Sequence, residues 1–504
     1  MTTMIDPLRR AVWTAPDAVA ARCGDTEVTY AQTWDRTRRL LGGLRELGVR
    51  EGERVAVVGR NCHRYLELYQ AVPGAGMVLV PLNQRHTASE LAYALADSGA
   101  RVLFVASGID YPDGVVEHVI DLEGGYETLL ADAAPAEFPD AVAADTVAGL
   151  FYTGGTTGTS KGVILTHRNL VANAFHFQAQ FAFRPETSWL VAAPLFHAAG
   201  SIAVLATVWH GGCQVMLPVF EAGAALDLIE AHRVTATLMV PTMLAAVAEE
   251  QLARARDVST LRLLSHGGSP VASETLRRAQ QAFPRAELMH LYGTTETAPI
   301  ATIMAHEEAL LDAPEARSCG QPAIGVEVRV LDEQTGATAP PGCVGEVLIR
   351  GENVMAGYWN KPEATADAML DGWYRTGDLG YMDERSFLYL VDRAKDMIVT
   401  GGENVYSTEV EEVLYRHPAV LEAAVFGIPD ERWGEAVHAV VVPRGEVAEA
   451  DLVAHCRGAI ADYKIPKHID LSTDPLPKSG AGKVLKRELR APYWTERESV
   501  VGGA

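Results

Sequence analysis

Short apolar runs alternate with helical patterns through the first three hundred residues of this 504-residue chain. Residues 54–58 (RVAVV), 77–80 (MVLV), 101–105 (RVLFV), 214–217 (QVML) and 236–240 (ATLMV) read as buried strands. Between them, Ala- and Leu-rich segments such as 89–98 and 224–233 carry apolar residues at helical spacing. Buried strands alternating with helices predict α/β layers with parallel sheets. Near residue 325 the texture changes. Residues 326–331, 345–350 and 387–391 are short strands separated by Gly, Pro and Asp turns, which predicts a small β-rich subdomain. After Asp392 a further unit begins. Thr408 and Glu411 have the spacing of a capping box, Val410, Val413 and Leu414 form one helix face, and 423–426 and 438–442 read as strands. The boundary falls at 392–396, leaving about 110 residues for the terminal unit, a common domain size. No fixed-period repeat is evident.

Composition narrows the function classes. Hydrophobic residues are 48% and charged residues 21%, as in ordinary globular chains, and the length calls for two or more packed units. A net charge of −22 disfavours a surface that neutralises nucleic-acid phosphates or adsorbs to anionic membranes. Six scattered cysteines without a C-x-x-C pair argue against a disulfide framework or a structural zinc. The amino terminus has no apolar signal segment, and the longest apolar stretch, 71–81, is broken by Gly and Pro. A cytoplasmic enzyme or binding protein is expected, with homodimer formation left open.

The most informative segment is 152–162, YTGGTTGTSKG. Gly-rich backbone can turn its N–H groups toward an anion, Thr hydroxyls add donors and Lys161 supplies charge; a flexible surface loop is the plainer alternative. It is not a Walker loop, because Ser160 stands where Gly must precede the Lys.

This loop resembles the phosphate loop of the adenylate-forming superfamily: acyl- and aryl-CoA synthetases, adenylation domains and luciferases. Residues 292–296 (YGTTE), 351–360 (GENVMAGYWN), 374–380 (YRTGDLG), 392–409 (DRAKDMIVTGGENVYSTE) and 477–483 (PKSGAGK) match further motifs in family order. The likeness spans residues 28 to about 490, closest to fatty-acid and aryl-acid CoA ligases. It implies a large N-terminal domain, 1–394, of two α/β sheets plus a distorted β-barrel, and a small mobile α+β lid, 395–504.

The resemblance also implies roles. Thr153, Gly154, Gly155, Thr156, Thr157, Gly158 and Lys161 would cradle the phosphates of ATP, with Gly268, Ser269 and Tyr292 beside adenine. Asp378 and Arg393 would bind the ribose. Thr295 would reach the α-phosphate and Glu296 would help hold Mg²⁺. Lys483 would bridge the incoming carboxylate and the α-phosphate. Lys395 takes the hinge position, while Gly401, Gly402 and Glu403 would line a tunnel for CoA. His197 would gate the acyl pocket, lined further by Val240, Thr242, His266 and Gly293. The chain departs from the family at Gly154, usually Ser, and at Ser160, usually Pro. One lost donor to a charged group costs roughly 1.5–3 kcal/mol of ATP binding.

Residues 196–200, 238–243, 265–268 and 292–300, which line the acyl pocket in the family, contain no Arg or Lys. A second buried carboxylate would lack a cation, so an apolar monocarboxylic acid, fatty or aromatic, is expected. The expected reaction is ATP- and Mg²⁺-dependent formation of an acyl-adenylate, then transfer to CoA. Alternatives are transfer to a carrier protein, an amine or an inorganic nucleophile, a luciferase-like oxygenation, and a non-catalytic nucleotide-binding regulator.

Overall fold

The computed structural model describes residues 2–153, 160–269, 271, 273–306, 313–332, 334–393, 396–430, 432–457, 459–478 and 484–494. The chain divides into two compact units, Met1–Val328 with Ile349–Arg375, and Arg329–Leu348 with Thr376–Ala504.

The first unit is built on two large sheets. In the nine-stranded sheet the spatial order is Gln321–Pro322, Thr302–His306, Glu287–Tyr292, Leu263–Gly267, Ala236–Met239, Ser188–Val191, Cys213–Met216, Val19–Cys23 and Thr26–Thr29. Its six inner strands, from Glu287–Tyr292 to Val19–Cys23, are parallel neighbours. The seven-stranded sheet has the order Gly357–Tyr358, Lys161–Thr166, Val147–Thr153, Val78–Leu82, Arg54–Val58, Ala100–Val105 and His118–Asp121. The five from Val147–Thr153 onward are parallel, and the first two join antiparallel. Strands covered on both faces need no polar alternation, which is why they read as continuous apolar runs.

Helices return the chain between these strands where the sequence provides stops. Thr87 and Glu90 make a capping box at the start of Ala88–Ser98, and left-handed Gly99 (φ 61°) ends it. Helix His167–Gln178 starts with a Thr166–Asn169 box. Its first residue, buried His167, accepts the Met4 N–H at Nδ1 (3.0 Å) and so ties down the amino-terminal segment. Burial pushes this imidazole down to about 4, as it does His63 and His290. An unfolded His takes its proton near 6.5, so stability is full above that pH and falls as pH drops toward 4. Each such group should lose about 1.4 kcal/mol per pH unit in that window. Thermal midpoints of wild type and His167→Gln between pH 7.5 and 5 check this. The variant should show a shallower acid slope, and an unchanged slope would remove His167 from the account.

Strands Val326–Leu331, Gly345–Gly351 and Trp373–Met382 run from one unit into the other and belong to a five-stranded sheet, the β-rich portion expected near residue 325. In the second unit Trp373–Met382 pairs antiparallel with Leu388–Arg393, from Asp378↔Arg393 to Met382↔Leu388. A second five-stranded sheet orders Glu403–Val405, Ile398–Thr400, Gly434–Pro443 and Val420–Asp430, with His468–Leu471 against Gly434–Pro443. Helix Ser407–Tyr415 buries Val410, Val413 and Leu414 on this sheet, as the periodicity predicts.

The capping box read at Thr408 and Glu411 does not form. The helix begins after Tyr406 with no side-chain cap, and the Thr408 hydroxyl donates to the Val391 carbonyl. Glu411 instead accepts the Val425 N–H (2.8 Å) and pairs with Lys486 (2.7 Å), whose ammonium also donates to Ser407 Oγ. A long-range ion pair has taken the carboxylate that local spacing assigned to the cap. Asp392 accepts the Ser407 N–H (2.5 Å), so the end of strand Leu388–Arg393 is bonded into the second unit. The chain passes between the two compact units at 328/329, 348/349 and 375/376.

Candidate active site

The carboxyl ends of four adjacent parallel strands carry most of the expected site. Strand Ser188–Val191 leads to His197, Ala236–Met239 to Val240 and Thr242, Leu263–Gly267 contains His266 and leads to Gly268 and Ser269, and Glu287–Tyr292 leads to Gly293, Thr295 and Glu296. From Ser188–Val191 the chain goes first to Cys213–Met216 on one side and then to Ala236–Met239 on the other. The strand order reverses there, and in open α/β sheets ligands bind in the crevice such a reversal leaves.

Each loop is fixed from behind. Asn61 Nδ2 donates to the carbonyls of Val191 and Ala193 (3.1 Å each) and its Oδ1 accepts the Leu195 N–H (2.9 Å). The Tyr69 hydroxyl takes the Leu195 carbonyl. His197 is thereby held at the start of helix Ala198–Trp209, half-buried, its ring centroid 4.4 Å from that of Phe196. Val240 caps helix Pro241–Ala253, whose second residue, Thr242, is exposed. A Cβ on Gly267 would lie 2.2 Å from the Leu291 carbonyl oxygen, so two backbones pass too closely there for any side chain. His266 is fully buried and stacked on His290 of the next strand, ring centroids 5.0 Å apart and planes 16° from parallel.

The turn after Tyr292 is the most constrained. Asn173 and Asn353, both buried, each donate through Nδ2 to the carbonyls of Thr297 and Ile300, at 2.7–3.3 Å. The Thr297 hydroxyl accepts the Thr294 N–H (3.0 Å). A short 3₁₀ turn, Thr295–Thr297, then presents Thr295 and Glu296, both half-buried. The Met355 N–H bonds the Glu296 carbonyl (2.8 Å).

The phosphate-loop candidate leaves strand Val147–Thr153 and returns in Lys161–Thr166, where Thr153 pairs with Lys161. Ser160 donates its hydroxyl to the Thr153 carbonyl and closes the loop base, a bond that the family's usual Pro cannot make. The loop residues Gly154, Gly155, Thr156, Thr157 and Gly158 lie outside the described residues. At the rim, Lys161 Nζ sits 4.8 Å from the centroid of the Tyr358 ring, and the Tyr358 hydroxyl donates to Glu296 Oε1 (2.9 Å). The structure thus brings Lys161 and Glu296 onto one intervening side chain.

In the second unit, Asp378 is buried and faces Arg393 across the strand pair; the Arg393 side chain is outside the described residues. The Asp378 N–H is held by Thr376 Oγ1 (3.0 Å), which donates to the Val347 carbonyl. Gly401 and Gly402, at φ 60° and 87°, form the two-residue hairpin turn between Thr400 and Glu403, and Glu403 is exposed. Lys395 and Lys483 lie outside the described residues. Tyr358, Asn61, Asn173 and Asn353 were not singled out from sequence. For Tyr358 and Asn353 a signal existed, since both lie in the quoted GENVMAGYWN motif; the other two Asn carried none.

Ligands bind at such strand ends, and Lys161 offers a cation there beside the Glu296 carboxylate. The family follows from comparison. A model of the AMP-binding enzyme family matches residues 8–359, and one of the AMP-binding enzyme C-terminal domain matches residues 409–483. The chain belongs to this family of adenylate-forming ligases. Feruloyl-CoA synthase of Amycolatopsis sp is 43% identical over 97% of this chain and 98% of its own length. The fatty acid–[acyl-carrier-protein] ligase ScoC of Streptomyces coeruleorubidus is 36% identical over 95% and 94%. Among solved structures, o-succinylbenzoate coenzyme A synthetase (MenE) of Bacillus subtilis with ATP and magnesium is 31% identical with a TM-score of 0.87, covering 97% of this chain and 100% of that one. Its complex with an acyl-adenylate intermediate gives a TM-score of 0.88 at 30% identity, covering all of both chains. No helix among the described residues is long and apolar enough to cross a membrane.

Proposed function

We propose that this ligase activates an aromatic monocarboxylic acid of the ferulate type with ATP and passes the acyl group to CoA. The observation that carries the substrate is the full-length 43% identity to feruloyl-CoA synthase. Pocket chemistry supports it: 2-succinylbenzoate brings a second carboxylate, and the four pocket segments hold no Arg or Lys to receive one. Burial keeps His290, stacked on His266, neutral at pH 7, so it supplies no cation to a second carboxylate.

Attack of a carboxylate on the α-phosphate joins two anions, so fixed cations must stabilise the crowded centre. Lys161 serves the phosphates and Lys483 bridges the two reactants. Thr295 reaches the α-phosphate, Tyr292, Gly268 and Ser269 flank adenine, and Asp378 and Arg393 take the ribose. Magnesium suits Glu296. A half-exposed carboxylate with one oxygen engaged by Tyr358 among the described residues is the donor set of an ion that keeps most of its shell from phosphate and water. Among the described residues no cluster of three His, Cys, Asp or Glu offers a closed protein cage instead. Bound there, the ion would neutralise phosphate charge.

CoA thiol attack on the adenylate has a good leaving group and needs chiefly a positioned thiol, with Gly401, Gly402 and Glu403 lining its approach and His197 gating the acyl pocket. Lys483 and pantetheine would claim the same space, so residues 395–504 are proposed to turn about Lys395 between steps. Free cysteines agree with a reducing cytoplasm. The likeness to ScoC favours one second reading, transfer to a carrier-protein thiol.

The test is pyrophosphate release and thioester formation with ferulate, cinnamate, dodecanoate and 2-succinylbenzoate, each with CoA or a phosphopantetheinylated carrier protein. Ferulate with CoA should give the highest kcat/KM. A preference for dodecanoate would overturn the substrate, and thioester on the carrier alone would overturn the acceptor.

A further inference from the structure

Between the candidate phosphate lysine and the candidate metal carboxylate stands Tyr358, to which neither the motif comparison nor the reaction scheme gives a task. It belongs to the two-residue strand Gly357–Tyr358, paired antiparallel with the strand that Lys161 opens (Gly357↔Ile164, Tyr358↔Val163). Its N–H is held by Thr365 Oγ1 (2.9 Å), and the Tyr374 side chain hydrogen-bonds its phenol. Gly357, at φ 145°, would place any Cβ 2.8 Å from Thr365 Cγ2, so the strand is seated too closely for a side chain there. The ring is fixed from three directions.

Two opposite charges meet this ring on different atoms. The hydroxyl donates to Glu296 Oε1 at 2.9 Å, and Lys161 Nζ lies 4.8 Å from the ring centroid, on the face where aromatic electron density attracts a cation. Among the described residues, neither Lys161 nor Glu296 forms an ion pair, although they share a neighbour.

We propose that Tyr358 is a positioning residue for nucleotide binding: its hydroxyl aims the Glu296 carboxylate and its ring face holds Lys161, keeping the two charges from neutralising each other before the nucleotide arrives. A carboxylate paired directly to Lys161 would present neither a full negative charge to a metal ion nor a full positive charge to phosphate. Tyr358 satisfies each partner with a weaker, non-ionic contact that ligand can displace. The proposal rests on the reading of Glu296 as a magnesium ligand, and the experiment separates the two.

ATP binding is measured by calorimetry over a range of free Mg²⁺, and in EDTA, for wild type, Tyr358→Phe, Tyr358→Leu, Glu296→Gln and the Glu296→Gln/Tyr358→Phe double variant. Tyr358→Phe removes only the hydroxyl. It should raise the Mg²⁺ concentration giving half-maximal ATP binding about tenfold, as for loss of a hydrogen bond to a charged group. ATP binding in EDTA and the acid KM should stay unchanged. Tyr358→Leu, which also removes the ring face, should weaken binding in EDTA as well. The double variant should be no worse than Glu296→Gln alone. An additive double variant would make Tyr358 merely structural and overturn the proposal, whatever the thermal midpoint of the single variant. An unshifted Mg²⁺ profile in Tyr358→Phe with a shifted one in Glu296→Gln would overturn the proposal alone. An unshifted profile in Glu296→Gln would overturn the reading of Glu296, and the proposal with it.

Discussion

Lys483→Ala is expected to slow pyrophosphate release by about 10²–10³-fold, the usual cost of deleting one preorganised charge stabiliser. Acyl transfer from supplied acyl-adenylate to CoA should remain within about threefold of wild type, since an activated acyl group needs orientation more than charge. The physical basis is asymmetric demand. Forming the adenylate forces two anions together, whereas thiol attack releases one. Lys478 and Val484 form a β-bridge and the Leu485 N–H bonds the Pro477 carbonyl (2.8 Å), so the chain is tied together on either side of residues 479–483. The loop base is pinned by the Lys478–Glu422 ion pair on one side and by buried Lys486 with Glu411 on the other. Removing the Lys483 side chain leaves this base intact, so the thermal midpoint should not move. Stopped assays of each half-reaction decide the matter. Equal losses in both would show that residue 483 does not act in the first chemical step alone.

How much of this was legible in the sequence depends on the range of the interaction that fixes each feature. Parallel strands such as Arg54–Val58 and Ala236–Met239 are visible because burial on both faces leaves unbroken apolar runs, and Ala88–Ser98 is visible because its cap and its glycine stop are local. Thr408 and Glu411 misled for the converse reason. Their spacing is that of a cap, but Lys486, seventy-five positions onward, offers the Glu411 carboxylate a buried ion pair, and Val391 offers Thr408 a carbonyl. Site residues carrying charge or a glycine pattern could be named from motifs. Their supports could not: Asn173 and Asn353 are 180 positions apart, and nothing in the spacing tells that both grip the carbonyls of Thr297 and Ile300.

That double grip makes Gly293→Ala a single-methyl change expected to displace the site as well as strain the fold. A Cβ at 293 would lie 1.9 Å from the Pro299 carbonyl oxygen, 2.7 Å from its carbon and 2.8 Å from Thr297 Oγ1. Backbone at such distances must move, but the two carboxamides on Thr297 and Ile300 hold both ends of the opposing segment. Strain therefore passes to the side of the turn that presents Thr295 and Glu296, which Met355 and Tyr358 each hold by a single hydrogen bond. Overpacking a rigid site typically costs about 1–3 kcal/mol of stability, so the protein should still fold. Displacement by an ångström at a reacting centre costs about a hundredfold in rate, and adenylation should fall by at least that much. Gly52→Ala is the contrasting change. Its φ of 76° strains an alanine, but the added methyl meets no described atom within 4 Å. A comparable stability loss with a far smaller loss of MgATP affinity is expected there. Thermal midpoints and MgATP calorimetry on the two variants side by side would distinguish local strain from displaced chemistry. Wild-type MgATP affinity in Gly293→Ala would show that the close approach to Pro299 does not set where Glu296 stands.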